Sequence, residues 1–212
     1  MLIQVGVDMH RAGAVLLLLL MGLSPLFAQE EGDDPSVEID WGDYTSDLYA
    51  PGDQTITISL GTVFPTVFLN NGNVIDHNIT PPVGGAGSIA YTYFLSSHFF
   101  VGAEIGGMFL FTLAKNTFGS PHLSAKAGYQ FNIWKLEFPI SASVGMVWHT
   151  YLNHRYYGLY VKGSAAAFFR ATPEWSFGLT VNWEWLPEWT GDKAKDIDGN
   201  FLSTMISARY HF

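Results

Sequence analysis

The chain has 212 residues, contains no cysteine and carries a formal net charge of −9 at neutral pH. The lack of cysteine excludes a disulfide framework and a thiolate metal site, and the acidic balance argues against nucleic-acid binding, which needs a basic surface. Aromatic residues make up 16% of the chain and charged residues only 14%, which is unusual for a soluble protein.

The first segment has the pattern of an export signal. Residues 14–23 (AVLLLLLMGL) form an apolar run that is too short to span a bilayer, and the small residue Ala28 follows it. We predict a signal peptide over residues 1–28. An acidic, turn-rich leader follows at 29–53 and holds nine of the nineteen acidic residues. It is interpreted either as a disordered leader or as a folded plug or partner-binding strand around VEIDW.

From Gln54 onward, apolar and polar residues alternate with a period of two. Eight such segments, separated by turn signals, predict an antiparallel all-β domain over residues 54–212. In chain order the segments are ITISLGTVF, GSIAYTYF, FFVGAEIGGMFLF, LSAKAGYQF, FPISASVGMVW, GLYVKGSAAAFF, WSFGLTVNWEW and LSTMISARYHF. Segments of about ten residues suit tilted strands that cross a membrane.

The connections between these segments differ in length. Short turns are predicted at 95–98, 132–135 and 171–174, and longer loops at 65–82, 113–121, 149–157 and 187–200. Short turns at one end and long loops at the other are typical of an up-and-down barrel in an outer membrane. With an even number of strands, both ends of the barrel sequence lie at the short-turn end.

A soluble lipocalin is the alternative eight-stranded barrel, because its apolar face points inward to a ligand. Its outer face would have to be well solvated, whereas the opposite face here carries small residues and few charges. Large aromatic residues also cluster at both ends of the apolar face, as they do at the two interfaces of a bilayer. We therefore predict an eight-stranded antiparallel up-and-down transmembrane β-barrel. Solubility without detergent would favour the lipocalin instead.

The last strand, LSTMISARYHF, ends on an aromatic residue. This C-terminus resembles that of bacterial outer-membrane β-barrel proteins, and the layout is similar to the small barrels of the OmpA transmembrane domain, OmpX and OmpW. The resemblance implies an outer-membrane location in a diderm bacterium, contact with outer-membrane lipid, and recognition of the last strand by the barrel-assembly machinery. The implied assembly signal consists of Phe212, Tyr210, Ala208 and Ile206.

Charged residues on the inner face form the most specific pattern. They are Glu104, Lys126, Lys162, Glu184 and Arg209. Pairing across the 171–174 turn sets Lys162 opposite Glu184, and pairing across the 113–121 loop sets Glu104 near Lys126. The pattern predicts either a salt-bridge network that fills the barrel or a narrow polar pathway. An eight-stranded barrel is just wide enough for side chains to fill it.

An enzyme on such a barrel needs a nucleophile beside a base near the outer rim. His149 and His154 are the candidates, but no serine or nearby carboxylate accompanies His149, and the two histidines alone are a weak metal pair. We therefore predict no catalytic residue, no metal and no cofactor.

Two functions remain open. The first is a non-enzymatic barrel that is structural, surface-exposed or a narrow conduit for small or apolar solutes, with the four long loops as candidate sites for extracellular ligands. The second is a membrane-embedded enzyme that acts on lipid or peptide. A hydrogen-bonded pair of serine or histidine with a carboxylate at the outer rim would favour the enzyme.

Overall fold

The computed structural model describes residues 48–70, 72–75, 83–111, 117–151, 154–189 and 196–212. These residues form a single antiparallel sheet of nine strands. The strands are β1 (Gln54–Asn70), β2 (Asn73–Ile75), β3 (Gly84–Phe94), β4 (Phe99–Phe111), β5 (Thr117–Ile133), β6 (Leu136–Tyr151), β7 (His154–Arg170), β8 (Trp175–Glu188) and β9 (Ile197–His211). None of the described residues belongs to a helix that could cross a membrane.

Eight of the strands close into a barrel, because β1 pairs with β3 on one side and with β9 on the other. The three-residue strand β2 extends β1 as a small hairpin at the loop end. At the short-turn end, Gln54 and Phe212 exchange backbone hydrogen bonds of 3.2 and 3.1 Å. The predicted eight-stranded antiparallel up-and-down barrel, with both ends of its sequence at the short-turn end, is therefore confirmed.

Side chains alternate between the inside and the outside of the barrel along each strand. In β1, Thr55 and Thr57 are buried in the interior, whereas Ile58 and Leu60 are exposed on the outside. The period of two follows from the pleat of the strand, which points successive side chains to opposite faces. The inner and outer faces assigned from the sequence match those of the structure.

The strands are longer than predicted, and the four predicted long loops are correspondingly shorter. β1, β5 and β7 each have 17 residues. Residues assigned to loops but found in strands are 65–70, 73–75, 117–121, 149–151, 154–157, 187–188 and 197–200. The physical reason is an apolar core inside the barrel at the loop end, where apolar side chains point inward as well as outward. There both faces contain apolar residues, so the alternation fades from the sequence while the strand pairing continues.

This loop-side core fills the barrel where the strands extend furthest. Its buried members are Val63, Ala86, Met108, Leu110, Val147, Tyr160, Leu186, Phe201 and Met205. Phe68 and Phe118 pack against it from the rim. Burial of such side chains stabilises each by about 1.5–3 kcal/mol, which supports strand pairing beyond the region that a membrane would cover.

Prolines usually end a strand because they donate no backbone hydrogen bond. Four of the barrel strands nevertheless contain one: Pro65 in β1, Pro121 in β5, Pro139 in β6 and Pro187 in β8. At Pro65 the pairing of β1 with β9 shifts register between Pro65 and Val67, and such a bulge absorbs the missing donor. Pro121 lies opposite Gly107 in β4. A Cβ atom at Gly107 would come within 3.2 Å of the Pro121 Cα atom, so the glycine makes room for the proline.

Candidate functional site

The outer surface of the barrel is apolar around its whole circumference. Each barrel strand contributes exposed large side chains, among them Leu60, Ile89, Ile105, Leu123, Val144, Phe169, Leu179 and Ile206. Leu60 is 68% exposed and Ile206 is 73% exposed. Between the two aromatic zones described next, no exposed residue of the described strands is charged. A soluble monomer rarely exposes a continuous apolar surface of this extent.

Aromatic side chains form contacts at both ends of this surface. At the short-turn end, Trp175 packs on Tyr210 with ring centroids 5.0 Å apart, and Tyr210 stacks on Phe212 at 5.9 Å. At the loop end, Trp148 meets Tyr157 edge to face at 6.4 Å. Rings at these two levels, with aliphatic residues between them, match the aromatic girdles of a membrane barrel.

The residues of the implied assembly signal lie on this outer surface, along β9. Phe212 is 54% exposed, Tyr210 37% and Ile206 73%, and Ala208 is half-buried between them. Their side chains are therefore accessible from outside the barrel. Recognition of these residues by an assembly machinery stays a prediction.

Glu104 is the centre of the first interior charge cluster, at mid-barrel. The buried carboxylate of Glu104 accepts a hydrogen bond from the ammonium of Lys162. It also lies 3.9 Å from the Nζ atom of Lys126 and 3.5 Å from the Nε2 atom of His122. The imidazole of His122 stacks on the ring of Tyr160 at 4.1 Å. One carboxylate thus faces two ammonium groups inside the barrel.

The ion-pair partner of Lys162 differs from the prediction. Lys162 does lie opposite Glu184 in the register of β7 and β8, but its ammonium binds Glu104 on β4. Glu184 accepts hydrogen bonds from the hydroxyl groups of Tyr160, at 3.1 Å, and Ser203, at 2.8 Å. A long lysine side chain extends across the narrow lumen, so the strand opposite can supply its partner in place of the neighbouring strand.

Glu137 is the centre of a second interior cluster, at the short-turn end. Its carboxylate is fully buried and accepts hydrogen bonds from Arg209 Nη1 at 3.0 Å, the Tyr49 hydroxyl at 2.7 Å and the Ser176 hydroxyl at 2.9 Å. The Nε atom of Arg170 lies 3.6 Å from the same carboxylate. A buried charge is tolerated when it is paired and hydrogen-bonded in this way.

Arg209 is the one member of this second cluster that the sequence prediction names as an interior charge. Glu137 and Arg170 alternate with outward-facing phenylalanines, so the same period of two assigns both of them to the interior. Tyr49 carries no such signal, because it precedes β1. Burial raises the pKa of the Tyr49 hydroxyl well above its ordinary value, which keeps the hydroxyl protonated as the donor to Glu137.

A serine–histidine contact lies in the second cluster, at the end of the barrel opposite to the rim where an enzyme was expected to carry one. Ser176 Oγ lies 2.8 Å from His211 Nε2 and 2.9 Å from Glu137 Oε1. Ser176 has no exposed surface. A catalytic nucleophile must reach its substrate, so we interpret this serine as a structural hydrogen-bonding group that links His211 to Glu137.

His149 lies inside the barrel rather than in a loop. It belongs to β6, is 4% exposed, and stacks on Phe118 at 5.4 Å and on Tyr156 at 6.1 Å. His154 begins β7, and its side chain lies outside the described residues. Among the residues that the structure describes, no group of three or more His, Cys, Asp or Glu side chains could hold a metal ion.

Side chains fill the space between the two clusters. A cavity of about 30 Å³ remains there, lined by Ser164, Thr180, Asn182 and their neighbours. Because one water molecule needs roughly 10–15 Å³ of such volume, this cavity has room for about two waters. Above it, the loop-side core occupies the lumen.

The closed antiparallel sheet, apolar outside and charged inside, defines the class of small eight-stranded β-barrels. A protein-family model matches residues 20–210, and the chain belongs to that family, whose description states no function.

Two uncharacterized proteins of Treponema pallidum (strain Nichols) are similar in sequence. One is 26% identical over 129 residues, which cover 61% of this chain and 59% of that protein. The other is 22% identical over 191 residues, which cover 78% of this chain and 66% of that protein. The chain thus spans between 59% and 66% of the length of these curated relatives.

The crystal structure of Neisserial surface protein A (NspA) is similar in fold. The TM-score is 0.57 at 8% sequence identity, over 76% of this chain and 97% of that chain. At this identity the likeness shows the barrel fold.

Proposed function

We propose that this protein is an outer-membrane β-barrel of a diderm bacterium that acts as a non-enzymatic, surface-exposed scaffold. The observation that carries the proposal is the uncharged apolar surface around the closed barrel, bounded by aromatic zones at both ends. Exposure of apolar surface to water costs roughly 25 cal/mol per Å², and a bilayer removes that cost on all sides at once. The predicted signal peptide supports export to such a membrane.

The filled interior favours a scaffold function over the function of a conduit. Three occupied layers follow each other along the lumen: the loop-side core around Phe201, the cluster around Glu104 and the cluster around Glu137. Passage of a solute would require all three layers to separate. A narrow conduit for small or apolar solutes is therefore the second candidate, and conductance measurements distinguish the two.

The loop-side ends of the strands are the surface that we propose for contact with the exterior. A membrane strand needs roughly 9–11 residues to cross, and β1, β5 and β7 have 17 each. The excess projects beyond the membrane. At the same end lie the exposed apolar side chains of Val74 in β2 and of Trp189, directly after β8, which are 74% and 59% exposed. The identity of an extracellular ligand and the specific resemblance to OmpA, OmpX or OmpW stay predictions.

Cysteine labelling tests the location and the orientation, because the natural chain contains no cysteine. Val74→Cys lies at the loop end and Ser97→Cys in the short turn between β3 and β4. We expect a membrane-impermeant maleimide to label Val74→Cys on intact cells, and to label Ser97→Cys only after lysis. The control is Ser207→Cys, whose side chain points into the barrel and should react only after unfolding.

The same samples test the membrane assignment. The wild-type protein should sediment with the outer membrane and should migrate differently in detergent gels before and after boiling, since a closed barrel has no free edge from which to unravel. Reversed labelling would overturn the orientation. Recovery of the protein from the soluble fraction without detergent would favour the lipocalin-like alternative.

A further inference from the structure

The residues that precede β1 enter the short-turn mouth of the barrel. Tyr49 is 3% exposed although it belongs to no strand. Its ring stacks on Phe94 with centroids 3.9 Å apart and an interplanar angle of 15°. The guanidinium of Arg170 lies 5.1 Å from the centroid of the same ring. An aromatic platform and a cation thus hold the phenol ring.

The hydroxyl of Tyr49 uses the second interior cluster as its hydrogen-bonding site. It donates to Glu137 Oε2 at 2.7 Å and accepts from Arg209 Nη1 at 3.4 Å. His211 Nδ1 lies 3.3 Å from the same oxygen. The phenol group therefore meets a carboxylate acceptor, a cationic donor and an imidazole, all buried.

The backbone on either side of Tyr49 is fixed to the barrel as well. Arg170 Nη1 donates to the carbonyl oxygen of Leu48 at 3.2 Å. Further along, Gly52 N donates to the Phe94 carbonyl at 2.9 Å, and Phe94 N donates to the Asp53 carbonyl at 2.9 Å. Gly52 has a φ of +102°, a conformation that favours glycine, and this turn directs Tyr49 into the mouth.

We propose that the short-turn mouth contains a binding site for a phenol, which the chain's own Tyr49 occupies, so that residues 48–53 form a tethered plug. The site recognises the ring through Phe94 and Arg170 and the hydroxyl through Glu137 and Arg209. It is defined by contacts within the barrel and is independent of the membrane in which the barrel lies. The plug closes the mouth at this end of the barrel.

Chemical rescue tests the site. Tyr49→Ala removes the phenol ring and its hydroxyl from the full-length protein, and p-cresol supplies both groups again. We expect the variant's Tm in detergent micelles to fall by roughly 10 °C and to rise again with increasing p-cresol, since a ligand that binds only the folded state stabilises it. Toluene, which lacks the hydroxyl, should restore less because Glu137 then still lacks one of its three hydrogen-bond donors. The wild-type Tm should not respond to p-cresol.

Tyr157→Ala is the matched control, since Tyr157 is a 65% exposed tyrosine on the outer surface. An equal response of the wild type, Tyr49→Ala and Tyr157→Ala to p-cresol would show uptake by the micelle and would overturn the proposal. An unchanged Tm in Tyr49→Ala would overturn it as well.

A second variant keeps the proposal testable if Tyr49→Ala does not fold. Tyr49→Phe retains the ring and loses the hydroxyl, so it should lower the Tm while Leu48 stays as protected from chymotrypsin as in the wild type. Cleavage at Leu48 in the folded wild type, at the rate of an unstructured peptide, would show that the mouth is open and would also overturn the proposal.

Discussion

Glu104 is the shared ion-pair partner of the mid-barrel cluster, because its carboxylate faces Lys162, Lys126 and His122. In a filled lumen the removal of a charge leaves its partners buried and unpaired, which costs about 3–5 kcal/mol. The same removal on an exposed ion pair costs about 1 kcal/mol or less. The interior charges of this barrel therefore depend on one another. The loss of stability on replacing one of them depends on which residue it pairs with.

A double-mutant cycle on urea unfolding in detergent tests this set. Glu104→Gln should lower the free energy of unfolding by about 3–5 kcal/mol, and adding Lys162→Met should restore part of the loss, because the unpaired ammonium is then gone. The matched cycle of Glu184→Gln with Lys162→Met should be close to additive, since Glu184 is bound by Tyr160 and Ser203. Strong coupling in the second cycle and additivity in the first would show that Lys162 pairs with Glu184.

For a single residue, the sequence predicts whether the side chain points into or out of the barrel. It predicts less well which residue that side chain contacts. The period of two placed Glu104, Lys126, Lys162, Glu184 and Arg209 inside, because each step along a strand reverses the face. The partner of Lys162 depends on which side chains meet across the lumen, and that is set by the closure and stagger of all the strands. Tyr49 could not be predicted at all, since a segment without regular structure has no period.

At the scale of the strands, some pairs approach so closely that only glycine fits between them. A Cβ atom at Gly145 in β6 would lie 2.0 Å from the backbone oxygen of Leu123 in β5. At Gly163 in β7 the nearest atom, on the Trp183 ring, would be 4.0 Å away. Gly145 therefore permits the close approach of β5 and β6, whereas a methyl group at Gly163 would have free space.

These two glycines give a matched pair of substitutions. Gly145→Ala should lower the free energy of unfolding by about 1–3 kcal/mol, because the strands must separate to admit the methyl group. Gly163→Ala should change it by no more than about 0.5 kcal/mol. Urea unfolding of the refolded barrels measures both. Equal effects of the two changes would mean that the β5–β6 approach is looser than the structure describes.

The last strand has a role that its packing alone does not explain. Phe212 is 54% exposed and contacts Tyr210 on the outer surface, so its loss should cost little stability. If the resemblance to outer-membrane barrels holds, Phe212→Ser should instead reduce the amount of protein in the outer membrane several-fold. Phe131→Ser, which changes an outward phenylalanine of 48% exposure in β5, is the control.

Quantitative fractionation of cells and refolding in detergent separate the two effects. Phe212→Ser should refold in detergent as well as Phe131→Ser does but accumulate less in the membrane. Equal membrane levels of both variants would count against an assembly signal at the C-terminus.

The number and order of the eight barrel strands followed from the sequence, but their lengths and the short strand β2 did not. Strand order is simple when every connection joins neighbours, and eight alternating segments sufficed to predict it. The prediction of strand length was wrong at the loop end. There the side chains of the loop-side core point inward, among them Val63, Leu110, Tyr160 and Phe201. Both faces of these strand ends therefore contain apolar residues. Without alternation, their sequence resembles that of a loop with scattered aromatic residues.

For the whole molecule, closure and filling together define what the barrel can do. Closure gives each of the eight barrel strands a paired neighbour on both sides, as strands that cross a membrane require. Filling is distributed over the loop-side core, the mid-barrel cluster around Glu104 and the mouth that Tyr49 occupies. Each layer uses a different interaction: apolar packing, ion pairs and a stacked phenol. A substitution that disrupts one layer should therefore leave the other two layers in place.

This arrangement predicts the electrical behaviour of the barrel in planar lipid bilayers. The wild-type protein should show no steady conductance steps, because each layer by itself blocks the lumen. Phe201→Ala and Tyr49→Ala should each stay silent, since the Glu104 cluster remains closed in both variants. Only the loss of all three layers, in Phe201→Ala combined with Glu104→Ala, Lys162→Ala and Tyr49→Ala, should admit ions. Gel migration of unboiled samples must show that this variant is still folded. Steady, voltage-independent steps from the wild-type barrel would favour the conduit over the scaffold and would require the interior side chains to move apart in the membrane.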